Sequence, residues 1–176
     1  MSTLQDNIAR AQQYMQRFKE QGVLNHINGE SVPAQSGATF DTISPVDLKP
    51  LASVARGGSE DIDRAVKASQ EAFKTWSKTP GKERRAILIK VAEAIEARAE
   101  EIAFTECMDT GQALRFMSKA AIRGAANFRY FADKAPEAED GLALRNDTQM
   151  NVTSKRPLGP VGVITPWNTP FMLSTW

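Results

Sequence analysis

The first signal along the chain is a recurrence of apolar residues at Leu4, Ile8, Ala11, Met15 and Phe18, spaced by fours and threes, which predicts an amphipathic helix over Thr3 to Lys19. Short apolar runs follow from Val23 to Pro33. Between them Asn28-Gly29, two residues that tolerate positive φ, predicts a hairpin turn. A second extended pair is expected in Thr39 to Ala55, where SPVDLKP connects TFDTI to LASVA. The period then becomes helical. Ser59 is the expected N-cap, Glu60 and Asp61 suit the positive end of the helix dipole, and Ile62, Ala65, Val66, Ser69, Ala72, Phe73 and Trp76 form one stripe. Thr79-Pro80 opens the next helix, whose apolar positions run from Leu88 through Val91, Ala92, Ile95, Ala99 and Ile102 towards Cys107, with Gly111 as its stop. A third helix is expected over Gln112 to Lys134, with the small residues Ala120, Ala121, Gly124 and Ala125 allowing another backbone to approach. Polar sequence from Pro136 to Asp147 ends the helical block. Met150 to Arg156 alternates as a strand, and Val161 to Ile164 reads as a short strand buried on both faces.

Composition changes this picture little. The 176 residues suffice for one core, and 22 basic against 21 acidic residues leave a net charge of +1 with no basic cluster, which argues against a nucleic-acid or membrane-surface partner. The opening MSTLQDNIARAQQ has no apolar signal region, and no stretch approaches the ~18 apolar residues of a membrane span, so a cytoplasmic location is expected. One cysteine, Cys107, and one histidine, His26, exclude an internal disulfide and give no metal-binding cluster. Cys107 is expected to be a buried, inert thiol, and His26 receives no role. Glu60-Asp61 and Glu100-Glu101 are read as solvated helix faces, because adjacent helix residues point in different directions.

Candidate chemistry concentrates in GPVGVITPWNTPF, Gly159 to Phe171. A strand at Val161 to Ile164 would deliver Pro166, Trp167 and Asn168 to the carboxyl end of a sheet, where open α/β folds bind ligands. Two prolines flank Trp167-Asn168 and stiffen the loop, so the Asn168 amide could serve as a preorganised donor to a developing oxyanion. The same residues permit a second reading, in which Asn168 caps the next helix and Trp167 belongs to the core.

GPVGVITPWNTPF resembles a motif of the aldehyde dehydrogenase family. So do INGE at Ile27 to Glu30, SPVD at Ser44 to Asp47, the AV and AF..W pattern of the Asp63 to Trp76 helix, ERR..L at Glu83 to Leu88, DTG at Asp109 to Gly111 and NFRYFA at Asn127 to Ala132, in this order from about Asn25 onward. The resemblance implies an α/β fold, the N-terminal portion of the aldehyde dehydrogenase fold, helix-rich with peripheral strands and the start of a Rossmann-like parallel sheet. It implies three parts: 1–147 as the N-terminal part of the cofactor-binding domain, 148–158 as an oligomerisation-type strand, and 159–176 as the first sheet strand with the Pro-Trp-Asn loop. Asn168 would be the oxyanion-hole asparagine. Ile164, Thr165, Pro166 and Trp167 would line the cleft for NAD, with NADP not excluded. The family's reaction passes through a thiohemiacetal, hydride transfer to the nicotinamide and hydrolysis of a thioester. Its nucleophilic cysteine, its general-base glutamate and a cofactor-contacting lysine are expected beyond Trp176, which would leave these residues catalytically incomplete by themselves.

Ile122-Arg123-Gly124-Ala125-Ala126-Asn127-Phe128, taken with ITPWNTPFMLSTW, resembles the muconic-semialdehyde branch of the family, which serves aromatic catabolism. That likeness implies that Arg123 binds a substrate carboxylate, which its planar fork suits; an exposed helix arginine with no such role is the other reading. The partners implied are a small aldehyde and, for a complete enzyme, further copies of itself. A stand-alone nucleotide-binding or interaction module is the competing hypothesis, and a helical structural protein a third.

Overall fold

A computed structural model describes residues 3–139 and 141–176. Met1 and Ser2, at the head of the first expected part, and Asp140, in the polar stretch after the third helix, lie outside the described residues. Helix α1, Leu4–Gln21, starts where expected, because Thr3 and Asp6 satisfy each other's backbone amides, and it stops at Gly22 with φ of 68°. The Asn28-Gly29 turn joins β1, Asn25–Ile27, to β2, Glu30–Val32, with both turn residues at positive φ, 55° and 82°. Strands β3, Thr39–Ile43, and β4, Pro50–Ala55, form the second antiparallel pair.

Helix α2, Ser59–Trp76, is capped differently from the expectation. Ser59 is already helical and Gly58 precedes it as N-cap. The Asp61 carboxylate supplies the missing acceptor, taking the Gly58 amide at 3.0 Å and the Gln35 amide at 3.1 Å. The apolar stripe of α2 is not core either: Ile62, Val66 and Trp76 are exposed.

The long helix expected from Pro80 is two. Helix α3, Gly81–Ala97, gives way at Arg98, whose φ of −111° and ψ of 17° leave the helical region, to α4, Ala99–Thr110. Arg98 turns its guanidinium onto Glu101, in two hydrogen bonds of 2.8 and 2.9 Å, at the break. Gly111, at φ 73°, ends α4 in the left-handed conformation. The third helix is likewise divided, into α5, Leu114–Met117, and α6, Ala120–Lys134.

Small residues decide where the core sits. Ala92 of α3 and Ala121, Ala125 and Ala132 of α6 have no exposed surface, which lets these two helices lie close. Arg129 to Glu96 and Arg85 to Asp133 tie the same pair along its rim. Helix α1 reaches α4 through Tyr14 stacked on Phe104 at 5.8 Å and through the Arg17–Glu101 and Arg10–Glu100 pairs.

A three-residue turn of 3-10 helix, Glu137–Glu139, precedes a third hairpin, β5, Ala143–Arg145, and β6, Met150–Val152. The strand expected over Met150 to Arg156 is thus shorter, and its partner arises from sequence read as polar connection. The strand expected at Val161 to Ile164 does not form: the segment has no ladder, and Val161, Val163 and Ile164 are exposed. A strand exists only through its neighbours, and no described strand lies beside this one. The chain closes on the short helix α7, Pro170–Ser174. Among the described residues no helix is long and apolar enough to cross a membrane.

Candidate functional site

The site starts from a helix that cannot cap itself. In α7 the N-cap Thr169 makes no side-chain cap bond, and Pro170 at the first helical position has no amide hydrogen to offer. The next amide, that of Phe171, donates to Oε1 of Glu106 on α4 at 2.9 Å. At the other end Asn127 of α6 donates its side-chain amide to Thr175 Oγ1 at 2.9 Å. Between these points α7 lies directly on Gly124. A Cβ added at Gly124 would stand 3.2 Å from both the Phe171 ring and the Thr175 methyl, so the missing side chain is what admits the helix.

Trp167 and Asn168 form the turn immediately ahead of α7, and both are exposed, Trp167 at 80%. That removes the reading in which Trp167 is core, and Asn168 is not the cap of α7, a position that Thr169 holds. Asn168 is accordingly an exposed turn residue two positions before the first residue of α7.

Ile164 and Pro166 are exposed on the approach and Thr165 is half-buried. With Trp167 they make an apolar strip with one hydroxyl. Arg123 is exposed on α6, one turn before Asn127 and next to Gly124, and no carboxylate of the described residues pairs with it. Helix α7, which follows the Asn168 turn, lies on Gly124, the neighbour of Arg123 in α6.

Two residues here escape the sequence reading. Asn127 enters it only as part of a motif, and Glu106 does not enter it. Glu106 is 6% exposed, and burial pushes its carboxyl above the usual range, against the Phe171 amide that lowers it; the nearby Asp109 charge adds to the rise. The available signal was a glutamate one turn from Ala103 on the buried side of α4. Cys107, the next residue, is half-buried rather than buried, and burial raises its thiol above the ordinary value, so it is poorly suited to nucleophilic work. Glu106 and Phe171 also border a groove of about 930 Å³ whose apolar lining includes Met15, Phe40, Leu51 and Ile95.

Comparison with known proteins extends these observations. The profile of the Aldehyde dehydrogenase family matches residues 31–176. The 2-hydroxymuconic semialdehyde dehydrogenase of Pseudomonas sp. (strain CF600) is 39% identical over 160 residues, covering 88% of this chain and 33% of that protein. The crystal structure of HpcC from Thermus thermophilus superposes with a TM-score of 0.92 at 43% identity, covering 96% of this chain and 33% of that one. Betaine aldehyde dehydrogenase from Staphylococcus aureus, solved in complex with NAD+, superposes with a TM-score of 0.86 at 28% identity over 94% of this chain and 34% of that one. The chain spans about a third of the length of these relatives.

Proposed function

The chain belongs to the aldehyde dehydrogenase family, and on that premise we propose that it is the N-terminal part of an NAD(P)-dependent enzyme that oxidises a carboxylate-bearing semialdehyde of the muconic type to the acid. The observation that carries this reading is the Pro166-Trp167-Asn168 turn, held by α7 against α4 and α6 with Asn168 exposed. A donor fixed by backbone packing needs no reorganisation when charge develops on an aldehyde oxygen, and that is the advantage an oxyanion hole exploits.

In this assignment Asn168 is the oxyanion donor. Ile164, Thr165, Pro166 and Trp167 form one wall of the cofactor cleft, and the cofactor supplies the hydride acceptor. NAD is favoured by the S. aureus relative solved with NAD+, and NADP is the alternative. Arg123 receives the substrate carboxylate, a role supported by its exposure, by a guanidinium that no described carboxylate pairs, and by its place one turn from Asn127. The likeness to a 2-hydroxymuconic semialdehyde dehydrogenase supports the muconic branch, with 5-carboxymethyl-2-hydroxymuconate semialdehyde as the proposed substrate. Residues 1–147 then contribute to the cofactor-binding domain and 159–176 supply the motif segment. The β5–β6 hairpin, whose Leu144, Met150 and Val152 are exposed, belongs to a surface between copies in a cytoplasmic homo-oligomer.

Steady-state kinetics on a full-length enzyme carrying this segment tests both side chains. Asn168→Ala lowers kcat by ~10²–10³, the scale of one lost oxyanion donor. Arg123→Ala raises KM for carboxylate-bearing semialdehydes and leaves neutral aldehydes little changed. Unimpaired turnover in the first variant, or equal losses on charged and neutral aldehydes in the second, removes that assignment. The 176-residue chain alone forms no NADH with any semialdehyde; turnover that persists in Cys107→Ser would refute its incompleteness.

A further inference from the structure

Of the two buried carboxyl side chains among the described residues, Asp61 and Glu106, the proposed chemistry uses neither, and only Asp61 is accounted for by the cap it gives its own helix. A carboxyl such as that of Glu106, at 6% exposure among the apolar residues Ala103 and Phe104 of its own helix, destabilises a fold unless its oxygens are satisfied. Here only one is. Oε1 takes the Phe171 amide at 2.9 Å, while Oε2 has no hydrogen-bond partner among the described residues. For packing alone a leucine would serve α4 better, so the position carries a cost that the helix itself does not explain. The compensation lies at the other end of the hydrogen bond. Phe171 offers the first amide that α7 has after Pro170, and it stands three residues after Asn168 with a φ-restricted proline between.

We propose that Glu106 is a positioning residue for the Trp167-Asn168 turn: its carboxylate reaches from α4 to the Phe171 amide and fixes where the Asn168 side chain stands. Thr169 provides no side-chain cap, so nothing local performs this task. Asn127 and Gly124 hold the far end and the flank of α7 and leave its N-terminus to Glu106. Two helices thereby define the turn, and neither is adjacent to it in sequence. The inference rests on the oxyanion reading of Asn168 for its consequence in turnover, but the tether itself does not.

The test uses a full-length enzyme carrying this segment, with three variants. Glu106→Gln keeps an acceptor at Oε1. Glu106→Asp keeps the charge but withdraws it by one carbon, and Glu106→Leu removes it while keeping the volume. The expected result is kcat within about threefold of wild type for Gln and a loss of about tenfold or more for Asp and Leu, with KM for NAD unchanged in all three. In the Glu106→Leu/Asn168→Ala pair, turnover falls no further than in Asn168→Ala alone, because a positioner is silent once the group it positions is gone. Losses that multiply in the double variant, or Asp and Leu variants with wild-type kcat, overturn the proposal. Should the Leu variant not fold, the Asp variant decides. Hydrogen exchange at the Phe171 amide gives a readout independent of catalysis: faster in Asp, unchanged in Gln. Equal protection in the Asp variant overturns the tether, whereas full turnover in Asn168→Ala removes only the oxyanion reading and leaves the exchange result standing.

Discussion

At the scale of single residues, close approach and burial make the clearest demands. A Cβ on Gly81 would lie 2.6 Å from the Ala135 carbonyl oxygen and 2.7 Å from the Pro136 Cα, both backbone atoms that cannot swing aside. Gly81→Ala is therefore expected to destabilise by about 1–3 kcal/mol, the range of an overpacked site, read as a lower midpoint in urea unfolding at unchanged slope. Two glutamates on α4 should titrate with opposite effects. The hydrogen bonds from Arg98 hold Glu101 below its ordinary pKa, against a smaller rise from burial and with Arg98 and Arg17 charge in support, so its contribution to stability is present above the unfolded value and lost as pH falls through the folded one. Burial raises Glu106, so its contribution is present below the unfolded value and lost as pH rises through the folded one. Thermal melts between about pH 3 and pH 7, on a scale of unfolded glutamate pKa near 4.3, should show Glu101→Gln approaching wild type towards acid and Glu106→Gln gaining on wild type towards neutrality. A pH-independent gap for either variant would contradict its assignment.

At the scale of elements, what fixes the ends of helices is often not in the helix. Asp61 caps α2 and at the same time holds the Gln35 amide, with Arg64 at 3.6 Å. Asp61→Ala should thus cost about 2 kcal/mol, a lost cap plus a second amide that loses its charged acceptor, and it should raise hydrogen exchange at Gly58 and Gln35 together. Exchange confined to Gly58 would reduce Asp61 to an ordinary cap. The pattern of apolar residues located α1, α2 and the long helical block, because those faces repeat strongly over many turns. It did not show the breaks at Arg98 and at Ser118-Lys119, since a kink that keeps the apolar face in phase leaves the periodicity nearly intact. Strand β5 was illegible for another reason: three residues, all exposed, carry no alternation, and only pairing with β6 makes them a strand.

On the scale of the whole molecule, apolar surface is left open along one continuous stretch. Leu158 and Ile164 are almost wholly exposed, and Val161, Val163, Trp167 and Trp176 are each about two-thirds so or more. Covering such side chains is worth ~1.5–3 kcal/mol each, so the 176-residue chain should be marginally stable and prone to associate. Size-exclusion chromatography that returned a monodisperse monomer with a cooperative, high-temperature melt would contradict this. Family membership was readable in the sequence from the order of its motifs, and so were most of the helices, the Asn28-Gly29 hairpin and the Gly111 stop, because each depends on local backbone preferences. The tertiary structure alone decided that Val161 to Ile164 stays unpaired, that the α2 stripe faces outward, and that Trp167 is exposed. It also decided that Glu106, 65 positions before Phe171, meets its amide. Those outcomes depend on which distant surfaces and hydrogen-bonding groups come together, and a period along one chain segment carries no information about its partner in space.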